Sequence, residues 1–221
     1  SASNCSPKPR QLLLISGKRK SGKDHVTSRI LAAAAERNFP AACVRQPLKA
    51  EYARLHKLDA DRLADSTEYK EAFRADMIAW GERLRAADPG CFCRLAVQMA
   101  QPPADGLWVV SDVRRPTDIQ YFLSAYPGRV HLLRLRASDE TRTRRGWAFV
   151  PGVDDAESEC ALDSWERWDS ELDNSGGECD SMSMVSVLSG ASVQSTRARR
   201  RSRLTGLGRN FLQLPSDSQN S

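Results

Sequence analysis

Apolar residues recur along this chain with two periods. Leu12-Leu13-Leu14-Ile15 is a short unbroken apolar run, the pattern of a strand buried on both faces of a parallel sheet. Behind it, Val26, Ile30, Leu31 and Ala34 share one helical stripe and predict a helix over about 23–37, which Asn38-Phe39-Pro40 breaks. Ala42-Cys43-Val44 reads as a short second strand, and Pro47 opens a helix near 48–57. Phe73, Met77, Trp80 and Leu84 mark the core face of a long helix with Thr67 as its N-cap. Its other side presents Lys70, Arg74 and Asp76 to a cleft. Asp88-Pro89-Gly90 ends that helix, and Phe92, Leu95, Ala96 and Met99 mark the next. An apolar strand over 107–112, a helix over 117–126 and a strand over 130–135 complete the series. Strands alternating with helices specify a parallel sheet with right-handed crossovers, the α/β class.

Between the first strand and the first helix lies Ser16-Gly17-Lys18-Arg19-Lys20-Ser21-Gly22-Lys23-Asp24. Strand, G-x-x-x-x-G-K, then helix is the context of a phosphate-binding loop. Gly17 and Gly22 allow φ angles closed to other residues and let the backbone approach a ligand. The loop amides and the helix N-terminus aim partial positive charge at phosphate oxygens, and Lys23 reaches the β/γ-phosphates. The usual Ser/Thr after the lysine is Asp24 here, a hard oxygen ligand suited to Mg²⁺. Asp112, at the end of a core strand, reads as the second carboxylate for that ion. Residues 137–147 form a short Arg-rich helix with Arg142, Arg144 and Arg145 ahead of Gly146-Trp147, the look of a lid that closes on phosphates. The fold class is thus a P-loop kinase fold, a parallel sheet flanked by helices with an Arg-rich lid at about 137–148.

Composition narrows the partners. The chain has 221 residues, 40% of them hydrophobic, enough for one domain with tails. Residues 1–10 and the Ser/Arg-rich stretch 177–221 read as disordered, leaving 11–176 as the kinase domain. No apolar run approaches the ~20 residues that span a bilayer, and the first ten residues lack a signal peptide's apolar stretch. This predicts a soluble protein in a reducing compartment. The six cysteines fit no zinc module and read as free, mostly buried thiols. Net charge is +5, and the residues from Ser164 onward carry seven basic and seven acidic side chains, so the excess lies before them. There it clusters beside glycines and strand ends with no aromatic-rich basic stripe, which favours small phosphorylated ligands over nucleic acid. The basic run 197–203 reads as solvated.

Several longer motifs are more specific. Gly17-Lys18-Arg19-Lys20-Ser21-Gly22-Lys23-Asp24, Tyr69-Lys70-Glu71-Ala72-Phe73-Arg74, Val110-Ser111-Asp112 with Arg114-Arg115, and Arg145-Gly146-Trp147 resemble the animal-type phosphomevalonate kinase family. So does Pro151-Gly152-Val153-Asp154-Asp155-Ala156-Glu157-Ser158-Glu159-Cys160, and the resemblance covers about residues 11–163. It implies a nucleoside-monophosphate-kinase-like fold, ATP and Mg²⁺ as cofactors, and transfer of the γ-phosphoryl group onto 5-phosphomevalonate in isoprenoid and sterol synthesis. It implies a nucleotide site of Gly17, Lys18, Arg19, Lys20, Ser21, Gly22, Lys23, Asp24 and Asn174. The acceptor side is Lys49, Lys70, Arg74, Arg85, Arg114, Arg115, Arg134 and Arg145. Metal ligands are Asp24 and Asp112, and Lys23, Arg19, Asp112, Arg115 and Arg145 carry the transfer. The implied protein is a cytosolic monomer acting on a small molecule, without nucleic acid or membrane, with peroxisomal association left open.

The resemblance weakens towards the C-terminus. The family continues into an apolar strand near Asp169-Ser170-Glu171-Leu172-Asp173-Asn174, where Ser170 and Glu171 occupy core-strand places. This carries two alternatives: an impaired or ligand-binding-only variant with an uncovered sheet edge, and a P-loop kinase for another small anionic acceptor.

Overall fold

The computed structural model describes residues 8–45, 47–65 and 67–176, with only the backbone of 64, 65, 67, 70 and 71. The expected tail 177–221 and residues 1–7 of the expected tail 1–10 lie outside the described residues. Residues 8–10, in contrast, are held to the domain, with Asp105 N–H donating to Lys8 O and Arg10 N–H to Gly106 O, each at 2.9 Å. The sheet has five parallel strands in the order β2-β3-β1-β4-β5. They are β1 (Gln11–Ser16), β2 (Ala41–Val44), β3 (Leu107–Val110), β4 (Val130–Arg136) and β5 (Ser170–Asp173). β1 is central, pairing with β3 from Gln11↔Leu107 and with β4 from Leu12↔Val130.

Strand alternation divides the core in two. Leu13, Ile15, Leu107, Val109, Leu133 and Leu135 face α1 (Lys23–Glu36) through Val26, Ile30 and Ala33. Leu12, Leu14, Trp108, Val110 and Leu132 face α5 (Cys91–Ala100) and α6 (Pro116–Ala125) through Cys93, Ala96, Ile119 and Phe122. Burial on both faces is why these strands are apolar throughout rather than alternating.

A third cluster, Tyr52, Leu63 and Met77, joins α2 (Leu48–His56), α3 (Ala60–Asp65) and α4 (Thr67–Ala87) into a helical lobe. The sequence reading misses α3, because Leu63 is its one large apolar residue in six and sets no period. Asp59 held the available signal: its Oδ1 accepts the backbone N–H groups of Asp61 and Arg62, each at 3.0 Å, as a helix cap does. The stripe on α4 is shorter than expected. Met77 is buried, Phe73 and Trp80 are half-buried, and Leu84 is 38% exposed, since at that turn the packed side of α4 is taken by Gly81 against Leu48 and by Arg85 over the Phe92 ring. Met99 on α5 is also exposed.

β5 is the main departure from the sequence reading. Ser170 and Glu171 do not prevent the strand, because β5 lies at the sheet edge, where one face meets solvent. Its backbone pairs with β4 from Leu133↔Ser170 to Arg136↔Asp173, while Leu172 packs on the α1-side core. The polar side chains find partners: Ser170 Oγ lies 2.8 Å from His131 Nε2, and Glu171 pairs with Arg136 at 2.8 Å. The β4 edge is therefore covered. At the other end of the domain, pairing starts ahead of β1, where Arg10 N–H donates to Gly106 O at 2.9 Å. Cys43, Cys91, Cys93 and Cys160 are free among the described residues, but only Cys93 is buried. No described helix is long and apolar enough to cross a membrane.

Candidate active site

The loop over 17–22 leaves the carboxyl end of the central strand, where parallel α/β sheets bind ligands. Its two glycines serve different ends. Gly22 adopts φ +96°, and a Cβ there would lie 2.4 Å from Asn174 Nδ2. Gly17 is not in the left-handed region; it is required by space, since a Cβ would lie 2.6 Å from Leu135 O. Gly22 caps α1 without a side chain, so the first-turn amides remain available to an anion.

Lys23 folds back onto this loop. Its Nζ donates to Gly17 O at 2.6 Å and Lys18 O at 3.2 Å, and lies 3.5 Å from Asp112 Oδ1. Burial lowers its pKa below the ordinary lysine value, with the Asp112 charge opposing that shift. β3 ends at Val110, two residues short of Asp112, because the chain there turns to bond Val113 N–H to Ile15 O at 3.0 Å. That turn brings the Asp112 carboxylate beside the loop. Its Oδ2 accepts Arg114 Nε at 2.8 Å, while Oδ1 is buried without a hydrogen-bond partner among the described residues. A buried carboxylate oxygen that has the Lys23 ammonium at 3.5 Å but accepts no hydrogen bond among the described residues fits a hard divalent cation. Asp24 lies on the first turn of α1 and is exposed. Among the described residues no group of three or more His, Cys, Asp or Glu side chains could hold a metal alone, so such an ion would share its coordination with phosphate and water.

The expected acceptor-side cations fall into three places. Arg115 Nη2 and Arg85 Nη1 converge on Glu82 Oε1 of α4, at 2.6 and 3.3 Å. Arg134, on the Leu132 face of β4 where the core opens, bonds Ser16 Oγ at 3.2 Å and Asp163 at 3.1 Å. Arg114 bridges Asp112 and Glu159. Lys49 is exposed on α2 and Arg74 half-buried on α4; the Lys70 side chain lies outside the described residues. The structure thus brings Arg85 to Arg115 and Arg114 to Asp112, with Arg134 on the far side of the loop.

The lid segment is already docked on the loop. α7 (Asp139–Arg144) is capped by Ser138, whose Oγ accepts Thr141 N–H at 3.2 Å. Arg145 was expected at the reacting phosphates. It instead donates to Ser21 O at 3.0 Å and Asn174 O at 2.8 Å, while Asn174 Nδ2 donates to Ser21 O at 2.8 Å. Lys20, at φ +64°, is exposed, and the Ser21 Oγ is buried without a partner among the described residues. Sequence reasoning missed the acidic partners of the loop. Lys18 pairs with Asp163 at 2.6 Å, Arg19 with Asp154 at 2.6 Å, and Arg114 with Glu159. Their signal was the run of acids in 154–163, following a run of arginines.

This arrangement can hold a polyphosphate at a glycine-rich loop beside a carboxylate and many fixed cations. A family model described as phosphomevalonate kinase matches residues 15–128. A curated phosphomevalonate kinase from Drosophila melanogaster is 44% identical over 155 residues, spanning 69% of this chain and 82% of that protein. Among solved structures, shikimate kinase from Aquifex aeolicus is similar at a TM-score of 0.40 and 12% identity, covering 89% of this chain and 100% of that one. A gluconokinase from Sinorhizobium meliloti gives 0.41 and 16%, over 89% and 97%. The fold itself rests on the parallel sheet order and its phosphate loop.

Proposed function

The chain belongs to the phosphomevalonate kinase family, and from that premise we propose that it transfers the ATP γ-phosphoryl group to the phosphate of (R)-5-phosphomevalonate, releasing 5-diphosphomevalonate and ADP. The observation that carries this reading is the meeting of Lys23 and Asp112, 3.5 Å apart, at the loop on the central strand.

The acceptor is itself an anion that must approach a triphosphate. Two unit charges about 4 Å apart repel by ~1 kcal/mol in water and by ~4 kcal/mol at an effective dielectric near 20. Several charges on each side multiply that cost, and fixed cations offset it. Lys18, Arg19 and Lys23 serve the nucleotide side, with the loop amides and Asn174 holding the loop's shape. Arg114, Arg115 and Arg85 serve the acceptor side, with Lys49, Lys70 and Arg74 on the helical lobe, while Arg134 stands apart from them at Ser16 and Asp163. The acceptor oxygen is largely deprotonated already, so no strong base is required, and positioning with charge neutralisation carries the reaction. Asp112, with Asp24, would hold Mg²⁺, which when bound neutralises phosphate charge. Arg145 acts by fixing the Ser21 and Asn174 carbonyls, which keeps the loop in one shape. A cytosolic monomer acting on small anions is part of the same proposal; of the loop's cations, Lys18, Arg19 and Lys23 pair with Asp163, Asp154 and Asp112. The covered β4 edge and the buried Asn174 weigh against an impaired variant.

An ADP-release assay comparing phosphomevalonate with nucleoside monophosphates, shikimate and gluconate tests the substrate. The expected result is a kcat/KM for phosphomevalonate at least about a hundredfold above the others, ~2.7 kcal/mol of discrimination. Preference for another acceptor would overturn the substrate, and silence with every acceptor would overturn the catalytic reading. The pH profile tests Lys23 independently. Burial lowers its pKa, so the cationic form is lost early as pH rises. The kcat/KM for ATP, which reports the free enzyme, is expected to fall before the ordinary lysine value of about 10.4 is reached. An alkaline limb at or above that value would remove Lys23 from nucleotide binding.

A further inference from the structure

The motif 151–160 carries no ligand role so far, yet its Asp154 is among the best-bonded carboxylates near the loop. The side chain is only 6% exposed. Arg19 Nε donates to Oδ1 at 3.0 Å and Arg19 Nη2 to Oδ2 at 2.6 Å. Trp147 Nε1 donates to Oδ1 at 2.9 Å, and Val150 N–H to Oδ2 at 2.8 Å. A carboxylate offers about four acceptor positions, and these four donors use them. Arg142 closes the ring from the other side. Its guanidinium lies 3.9 Å from the Trp147 ring centroid, and its Nε donates to the Arg19 carbonyl at 2.9 Å. Arg19 is therefore gripped at its backbone and along the Nε/Nη2 edge of its side chain. Its Nη2 also donates to Ala148 O at 2.6 Å, whereas Nη1 makes no hydrogen bond among the described residues.

We propose that Asp154 is a positioning residue for phosphoryl transfer: it clamps Arg19 so that Nη1 faces the nucleotide phosphates, and through Trp147 and Arg142 it docks the α7 arm on the phosphate loop. This rests on reading Arg19 as a nucleotide-side cation. A saturated, buried carboxylate of this kind is retained during turnover, since releasing either partner would leave a desolvated charge unpaired. An arginine presented by one fixed edge offers its remaining nitrogen in one direction, which a solvated arginine does not.

The test is a double-mutant cycle on the full chain with Asp154→Asn and Arg19→Met, read by steady-state kinetics and by calorimetric titration of ATP with Mg²⁺. Asp154→Asn is expected to raise KM and Kd for ATP by at least about tenfold while KM for phosphomevalonate stays within about twofold. A purely structural role would lower the active fraction, and hence kcat, without moving KM for ATP. In the Arg19→Met background the same change should cost less than about twofold, because its target is gone. Equal costs in both backgrounds would overturn the proposal. The ATP titration needs no acceptor, so coupling there without phosphomevalonate turnover would sink the substrate assignment and leave the clamp standing. Should Asp154→Asn fail to fold, Trp147→Phe, which removes one donor and keeps the ring under Arg142, takes its place with an expected threefold effect, roughly, and the same criterion of coupling.

Discussion

Lys23→Met is expected to lower kcat several hundredfold or more while leaving the fold intact. The magnitude is that of removing one fixed electrostatic donor from a developing charge, about 10²–10³ in kcat. Lys23 Nζ rests on the Gly17 and Lys18 carbonyls and faces Asp112, within reach of a phosphate seated on the loop amides. The fold should survive because Lys23 lies on the phosphate loop outside both apolar clusters of the sheet, and Asp112 keeps its bond from Arg114 Nε. Methionine keeps the length of the stem and its packing. Circular dichroism and thermal melting check the fold, and single-turnover measurements separate chemistry from ATP binding. Turnover near that of the parent chain would mean that the loop does not hold the nucleotide through this lysine.

Asp112→Asn is expected to cost at least about a hundredfold in kcat, ~2.7 kcal/mol of barrier, and to raise the Mg²⁺ concentration needed for half-maximal rate. The substitution preserves shape, so Arg114 Nε still finds an oxygen to bond. What it removes is the charge on Oδ1, the buried oxygen without a hydrogen-bond partner among the described residues. An amide there is a weaker ligand and places a donor group near Lys23. Titrating Mg²⁺ at saturating ATP distinguishes the two effects. A lowered rate with unchanged Mg²⁺ demand would assign Asp112 to orienting Lys23 and Arg114, and parent-like behaviour in both would remove it from the site.

Much of the site was legible because it is local in the chain. The phosphate loop lies within eight residues, and its strand and helix are written in flanking apolar patterns. Asp112 follows an apolar strand by a short step, so chain direction alone places it near the loop once the strands are parallel. Other features were misread for identifiable reasons. Ser170 and Glu171 argue against a strand only if the strand is central. Whether a strand lies at an edge depends on sheet order, which no local pattern encodes. Leu84 and Met99 carry the right spacing for burial, but the packed sides of their helices run instead through Gly81 and Arg85 on α4 and through Val97 and Ala100 on α5.

By itself, the sequence determined the strand–loop–helix unit, the parallel α/β class, the glycine positions and the family, since each depends on residues close together or on a string of motif residues. Only the tertiary structure decided which charges meet. The chain holds 33 lysines and arginines and 28 acids, and composition leaves their pairing open. Arg19 finds Asp154 across 135 residues, Lys18 finds Asp163 across 145, and Arg145 turns to the Ser21 and Asn174 carbonyls rather than forward. Such contacts act over a few ångströms of space, and the path that brings their partners together is set by core packing and strand order, not by the charges themselves.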